Sequence, residues 1–319
     1  MGSTNLLKLV LRETGLSQKE IAKKLNVSAA QISKWKAGEH ISYEMEEKLK
    51  VLLSIGDRDP DVVYWTGGIE QADKWVRLFE HLAERAPESA ECSYICAPLE
   101  DETDFFFPNI LSTLIEAGAI IPEYFPEKID FDYDADYDEN EEAFGMLYDT
   151  NEFSNLIYEA LKAYCQHYDF YAAYVRDIMY EDDLDLYNTD ASNIEPCLFS
   201  LALVKVGSRS SLLSKYKEFR YNTLKDYKRW VEIVKDAAIK NRIPLKAEIM
   251  HLVSENPEHL VHEAEAEVLG FNSSRIHPDI YMNEMLQGMR LIHQVLPAIC
   301  KKLGITEEEL NINESELQL

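Results

Sequence analysis

The strongest constraint on the fold is a pair of helix-capping signatures that lie close together near the amino terminus. Ser17 is followed three residues later by Glu20, and Ser28 is followed in the same way by Gln31. A serine hydroxyl caps an unpaired N–H of the first helical turn, and the acidic or amide side chain bonds back to the serine N–H. Gly38 then supplies a helix stop. The sequence therefore predicts two short helices joined by a tight turn.

The apolar residues of these two helices recur at helical spacing. They are Ile21, Ala22, Leu25, Ile32 and Trp35. Asn26 lies at the corner between the helices, where asparagine adopts the left-handed conformation more readily than most residues. A further helix is predicted on each side of the unit, from Leu6, Leu7, Val10 and Leu11 before it and from Met45, Leu49 and Leu52 after it. The expected fold is a bundle of four or five short helices.

In order and spacing, residues 4–54 resemble the lambda-repressor and Cro-like (XRE-type) helix-turn-helix family. The resemblance implies a DNA-binding domain at residues 1–56, in which the second helix of the unit enters the major groove of double-stranded DNA. Residues at matching positions are expected to contact DNA. Gln18 would hold a phosphate, the base edges would face Ser28, Ala29, Ala30, Gln31, Ser33 and Lys34, and Lys36 belongs to the same binding set.

Two of these positions, Ala29 and Ala30, have no hydrogen-bonding side chain. Alanine still contacts a thymine methyl group, but donor and acceptor readout then falls to the other polar positions, so modest specificity is expected. Gln31 has an alternative use, because its side chain is also the one that would complete the cap at Ser28.

Charge is distributed unevenly along the chain. Residues 1–55 contain nine basic and six acidic residues, whereas the remainder has a net charge of −29. The acidic remainder repels a phosphate backbone and the basic segment attracts it, so the amino-terminal end is expected to face DNA. Screening limits the repulsion to about 8 Å at physiological salt, which leaves room for a specific contact.

Length and composition limit the class of protein. A chain of 319 residues, 46% of them hydrophobic, is long enough for about two domains. It has neither an apolar run of the roughly 18 residues that a membrane span needs nor a signal peptide, so a soluble cytoplasmic protein is expected. The five scattered cysteines favour reduced thiols. Cys92 and Cys96 lack zinc-knuckle spacing and are interpreted as buried thiols, and no metal or cofactor is expected.

The polar segment at residues 57–60 is interpreted as a domain boundary, followed by a larger acidic body at residues 61–319. The body is predicted to be helix-rich with a few strands, so the chain is expected to be mainly α with an α+β body. Helices are expected near residues 66–86, 107–117, 151–180, 209–241, 244–269 and 276–303, and strands at residues 92–99 and 196–206.

Residues 129–138 alternate apolar or aromatic side chains with five aspartates. If the segment is extended, one face packs and the other presents carboxylates about 7 Å apart, which imitates a row of phosphates. The simpler interpretation is a solvated acidic face. The segment also aligns with a calcium loop through Asp130, Asp132, Asp134 and Glu141, but Ala135 occupies the position that requires glycine, which argues against calcium.

Residues 205–246 are basic within this acidic body, with twelve basic and four acidic residues. One long helix with an apolar stripe is predicted here. Its basic side either pairs with acidic elements of the same chain or of a partner subunit, or makes a second contact with DNA. A helix of this length is also suited to dimerisation.

Catalytic groupings are not evident, and an enzyme is not expected. His259, His262, Glu263 and Glu265 share a helical face, but their order matches no zinc-protease helix, so solvated or partnered side chains are favoured. Cys165 and His167 are expected to point in different directions on a helix. The dipeptide Ala117–Gly118 resembles the cleavage site of self-cleaving repressors, but the body lacks their mostly β peptidase character.

These features together predict a sequence-specific DNA-binding transcriptional regulator that acts as a homodimer and represses its own promoter. The alternative is a phage-type inhibitor or antitoxin, whose acidic body captures a protein partner, with nucleic-acid mimicry as one means of doing so, while the amino-terminal domain regulates its own promoter.

Overall fold

The computed structural model describes residues 2–100, 103–136, 138, 140–241, 243, 245–271 and 278–305. Over these ranges the chain is mainly helical and contains no β-strand. The α-helices in chain order are α1 (Gly2–Thr14), α2 (Gln18–Leu25), α3 (Ala29–Lys36), α4 (Tyr43–Leu53), α5 (Pro60–Trp65), α6 (Ile69–Ala90), α7 (Ala97–Glu100), α8 (Thr103–Glu116), α9 (Glu141–Gly145), α10 (Glu152–Tyr174), α11 (Arg176–Met179), α12 (Leu198–Val206), α13 (Tyr216–Asn241), α14 (His251–Ser254), α15 (Pro257–Val268) and α16 (Pro278–Leu303).

Helices α1 to α5 form the amino-terminal bundle, which we call the head. Helix α1 packs against α4 and α5, and α2 packs against α3. The apolar positions expected to face inward are buried, among them Leu7, Ile21, Ile32, Trp35 and Leu49. The predicted bundle of short helices around the helix-turn-helix unit is confirmed.

Two sets of contacts bridge residues 57–60, one between α1 and α5 inside the head and one from the head to α6. The Arg12 guanidinium donates to the main-chain carbonyls of Tyr64 and Val63, over 3.3 and 3.5 Å. Arg58 forms a bidentate pair with Asp73 on α6, with N–O distances of 2.6 and 2.9 Å. A domain boundary at residues 57–60 remains a prediction, and these contacts tie the two sides of that segment together.

Helix α10 is the centre of the body. It packs against α6, α12 and α15, and most of its residues are buried. The Asn151 side chain caps its first turn by accepting the N–H groups of Phe153 and Ser154, both over 3.1 Å. His167 is fully buried, with its ring nitrogens 2.7 Å from the Ala163 carbonyl and 3.1 Å from the Leu252 carbonyl. Burial lowers the pKa of His167 to about 4, so the ring is neutral at physiological pH.

The strand predicted at residues 92–99 is wrong. The main-chain N–H groups of Ser93 and Tyr94 donate to a carboxylate oxygen of Asp169, over 3.0 and 2.7 Å. Helix α7 begins shortly afterwards at Ala97. The segment is apolar because it lies over α10, and its donors are satisfied by a side chain instead of a neighbouring strand.

The strand predicted at residues 196–206 is also wrong, because this segment is helix α12. Its residues are apolar on nearly every side, and Leu198, Leu201 and Leu203 are buried. A short apolar run has the same appearance in a buried strand and in a buried helix, so periodicity alone did not distinguish them.

The described residues of the acidic segment 129–138 form turns and bends and not an extended strand. Asp130 pairs with Lys74 and Arg77 of α6, over 2.7 and 3.3 Å. Carboxylate oxygens of Asp132 and Asp136 accept main-chain N–H groups two residues ahead, over 3.1 and 2.9 Å. The strand spacing that would imitate phosphates is therefore not present in the part described. Tyr137, Glu139 and the acidic residues at 307–316 lie outside the described residues.

Basic residues of the 205–246 stretch bind acceptors of the same chain. Arg229 pairs with Asp190 over 3.3 Å, Lys235 with Glu248 over 2.7 Å, and Lys246 with Glu267 over 2.6 Å. The Lys205 ammonium donates to the carbonyls of Val253 and Glu255. These contacts agree with internal pairing of the basic side, and the long helix here, α13, begins at Tyr216, later than predicted. Arg242 and Pro244 lie outside the described residues.

His251 and His262 in the body lie beside carboxylates, and the two neighbouring cysteines are buried or half-buried. His251 lies 3.0 Å from Glu263, and His262 lies 3.9 Å from Glu265, as expected for partnered side chains. The thiols expected to be buried are buried at Cys96 and half-buried at Cys92. Within the described residues, no group of histidine, cysteine or acidic side chains is arranged to hold a metal ion. None of the described helices combines the length and apolarity needed to cross a bilayer.

The buried carboxyl of Asp169 is expected to make the stability of the protein depend on pH. Burial raises the pKa of its carboxyl to about 6, although the N–H donors of Tyr94 and Ser93 oppose the shift. Because this pKa lies above the unfolded value of about 3.9, the contribution to stability is complete below that value and is lost as the pH rises through 6. The stability of Asp169→Asn relative to wild type is expected to increase by about 1–2 kcal/mol between roughly pH 4 and pH 7.

Urea unfolding followed by circular dichroism at the two pH values measures this difference. Asp177→Asn removes the same charge from an exposed position and serves as the control. A difference between Asp169→Asn and wild type that stays constant with pH would contradict the prediction.

Candidate nucleic-acid interface

The helix-turn-helix unit begins at a complete capping box. The Ser17 hydroxyl accepts the Glu20 N–H over 3.3 Å, and the Ser17 N–H donates to the Glu20 carboxylate over 2.8 Å. Hydrogen bonds from the Ser17 side chain and main chain lower the pKa of the Glu20 carboxyl. The predicted start of α2 is therefore correct, and its local cause is the one expected.

The corner between α2 and α3 depends on Asn26. This residue has left-handed backbone angles, with φ 55° and ψ 45°. The next N–H, from Val27, donates to the Ala22 carbonyl over 2.9 Å, which closes the end of α2. Asparagine meets this conformation at low cost, so the corner fixes the direction in which α3 leaves α2.

Helix α3 is capped by Ser28, whose hydroxyl accepts the main-chain N–H of Gln31 over 3.1 Å. This bond uses the backbone of Gln31 and leaves its side-chain amide available for another partner. The half-buried Gln31 side chain therefore lies at the edge of the exposed face.

The two sides of α3 differ sharply. Ile32 and Trp35 are buried in the head, at 0% and 5% exposure. The predicted contact residues on the outer side are exposed, namely Ser28, Ala29, Ala30, Ser33, Lys34 and Lys36. A helix with one anchored side and one free side of small and polar residues fits into a major groove.

The fold brings Gln18 next to this outer face. The Ser33 hydroxyl lies 3.4 Å from the side-chain oxygen of Gln18 and 3.2 Å from the carbonyl of Ala29. Gln18 is half-buried at the start of α2, so its amide is held in place at the rim of the face. Two residues distant in sequence thus form one polar edge.

The cations of α3 are placed at its carboxyl-terminal end. Lys34 pairs with Glu39 over 3.5 Å, and their side chains remain 61% and 48% exposed. An exposed pair of this kind contributes little to stability, so a phosphate can replace the carboxylate at low cost. Lys36 is exposed and forms no ion pair with the described part of the chain.

The amino-terminal end of α4 adds two candidate contact residues that the sequence did not predict. Ser42 precedes the helix and makes no side-chain capping bond, and Tyr43 is 77% exposed. Hydroxyl groups and free N–H groups at a helix start are common phosphate contacts. In the sequence, the only sign of these contacts is Ser42 next to Tyr43 after the end of α3. That pair indicates a binding surface only once Tyr43 is known to be exposed.

Comparison with known proteins agrees with this geometry. Residues 7–49 match a family model described as helix-turn-helix, which spans α2, α3 and most of α1 and α4. No curated protein and no solved structure matches the chain significantly. The resemblance expected from the sequence is therefore confirmed for the head, whose residues 7–49 are similar to the XRE-type helix-turn-helix family.

Proposed function

We propose that the chain is a DNA-binding transcriptional regulator without catalytic activity, which binds its operator as a homodimer and represses its own promoter. The observation that supports this most directly is the outer face of α3. It is exposed, small and polar, while the opposite side of the helix is anchored in the head core. The similarity of residues 7–49 to the helix-turn-helix family supports the same function.

In this proposal α3 lies in the major groove. Ala29 and Ala30 approach thymine methyl groups, while Gln31 and Lys34 bond to base edges. Gln18 and the exposed start of α4 contact phosphates on either side and set the register. Lys34 exchanges its exposed bond to Glu39 for one to DNA, and Lys36 adds phosphate attraction.

The body supplies the dimer and holds the heads at a fixed spacing. The bidentate pair between Arg58 and Asp73 favours a head that moves together with α6. Two such heads related by a twofold axis fit half-sites about one helical turn apart. A dimer bound there would exclude polymerase from an overlapping promoter.

The sequence supported an alternative function, capture of a protein partner by phosphate mimicry. The structure weakens that support. It rested on an extended row of aspartates, and in the structure Asp130 is paired with Lys74 while Asp132 and Asp136 close local turns. The carboxylates of Asp130, Asp132 and Asp136 are thus occupied within the chain.

In vitro selection tests the proposed function. The full-length protein is incubated with a pool of random DNA duplexes, and bound duplexes are amplified and sequenced over several rounds. We expect an enriched inverted repeat whose half-sites are separated by about one helical turn. Gln31→Ala should relax the base preference at one position of each half-site without abolishing binding.

Lys128→Ala is the matched control, because it removes an exposed cation from the body and not from the head. It should return the same motif as wild type. A pool that shows no enrichment over the input at modest salt would refute DNA recognition, and an enriched motif unaffected by Gln31→Ala would refute the role given to that side chain.

A further inference from the structure

Helix α16 has more exposed large apolar residues than any other described helix. Its exposed large apolar residues include Met289 at 54%, Ile292 at 59% and Leu303 at 67% exposure. The full set is Met285, Leu286, Met289, Leu291, Ile292, Val295, Leu296, Ile299 and Leu303. No other described helix packs extensively against α16. A surface of this kind on a water-exposed helix marks an interaction site.

The spacing of these residues is that of a coiled-coil seam. Met285, Met289, Ile292, Leu296, Ile299 and Leu303 follow one another at alternating steps of four and three residues. This repeat of 3.5 residues keeps one line of side chains facing a partner helix along its whole length. Gln294 and Lys301, seven residues apart, lie on the side away from the seam. Pro297 also lies off the seam, so a bend there does not interrupt it.

The long helices of the body do not offer a matching seam to α16. Helix α10 is buried over most of its length, and α13 buries Tyr227, Val231 and Val234 in the body. A helix with the same 3.5-residue repeat is available, however, on a second copy of the chain. The charges of α16 favour the same partner in an antiparallel arrangement, because its acidic residues all precede residue 285 and its basic residues all follow residue 289. Antiparallel packing places the basic end of each helix beside the acidic end of the other.

We propose that α16 is the self-association element of this chain and packs antiparallel against α16 of a second copy through the seam of residues 285–303. The inference rests on the proposed function, because pairing of the α16 helices would supply the dimer that a twofold operator requires. Its test does not involve DNA.

The mass of the full-length protein in solution tests the proposal. Light scattering after size-exclusion chromatography at micromolar concentration should give about twice the chain mass of 36.8 kDa. The double variant Ile292→Asp with Ile299→Asp should elute as a monomer, since a charge in the seam opposes pairing. The control is Leu291→Asp, which places the same charge at a residue that is 63% exposed but outside the seam, and it should retain the wild-type mass.

A monomeric wild type, or a seam variant that associates like wild type, would overturn the proposal. The near-ultraviolet circular dichroism of the seam variant should match that of wild type, because no other described helix packs extensively against α16. If the wild type were a monomer and the seam variant melted at a lower temperature, the seam would be covered within the chain itself. DNA selection by the head is a separate measurement, so its failure and the failure of self-association are distinguishable.

Cross-linking tests the orientation. In a Cys300→Ser background, Met285→Cys and Leu303→Cys lie at opposite ends of the seam. Antiparallel helices bring these two positions together between chains, so a mixture of the two variants should form a disulfide-linked dimer under mild oxidation, whereas either variant alone should not. Cross-linking of Met285→Cys to itself would overturn the antiparallel arrangement.

Discussion

Replacing Ala30 with glutamate is expected to abolish DNA binding while leaving the head folded. Ala30 lies in the first turn of α3 on the exposed face, where an acidic residue interacts favourably with the helix dipole and does not disturb the core. In the major groove the same carboxylate meets phosphates and base acceptors. Like charges held together cost several kcal/mol, so we expect an affinity loss of about 100-fold or more for the selected duplex.

Fluorescence anisotropy with the selected duplex measures the loss, and thermal unfolding confirms that the head remains folded. Val51→Glu introduces the same charge at a residue of α4 that is 75% exposed and not on the α3 face, and it should change the affinity only a few-fold. Ala30→Gln, which adds length without charge, should lie between the two. If Ala30→Glu bound within twofold of wild type, recognition would have to lie elsewhere on the molecule.

The head was predictable because its signals are local. Ser17 with Glu20 caps α2, Asn26 turns the corner, and Ser28 caps α3, each through bonds that span fewer than five residues. Such bonds depend on neighbouring residues and are visible in the sequence. The contact between Gln18 and Ser33 joins two helices, and only the resemblance to a family placed those residues on one side.

The body was less predictable because its apolar segments are defined by distant partners. The N–H groups of residues 93 and 94 are satisfied by Asp169, more than seventy residues away, and nothing local distinguishes that loop from a strand. Helix α12 is surrounded by other helices and so has no polar face to reveal its period. The aspartates near residue 130 alternate as in a strand, yet the pairing of Asp130 with Lys74 draws the segment onto α6.

Gly118 carries the second large expected effect. The dipeptide Ala117–Gly118 is buried at the end of α8. The Lys215 N–H donates to the Ala117 carbonyl over 3.0 Å, and the Ser214 hydroxyl donates to the Gly118 carbonyl over 2.8 Å. These two bonds hold the end of α8 against the segment that leads into α13. The dipeptide is therefore a packing contact between two parts of the body.

Gly118→Ala is expected to destabilise the body strongly. Gly118 has φ +99°, and an added Cβ would lie 2.4 Å from the Lys215 nitrogen and 2.5 Å from the Ser214 hydroxyl. The nearest atom belongs to the backbone and cannot move without breaking the two hydrogen bonds. Backbone strain of about 1–3 kcal/mol and lost buried bonds of about 1–3 kcal/mol together predict a loss of about 3–5 kcal/mol in the free energy of unfolding.

Urea unfolding monitored by near-ultraviolet circular dichroism measures this loss, because the signal reports the packed aromatic residues of the body. The matched control is Gly145→Ala, at a glycine in helix α9 where an added Cβ meets no atom within 4 Å. Alanine at that position should be neutral or slightly stabilising, since it favours the helical conformation by up to about 1 kcal/mol. Equal stability of the Gly118→Ala and Gly145→Ala variants would mean that the end of α8 does not pack against residues 214 and 215, and the arrangement of α8 and α13 would have to be revised.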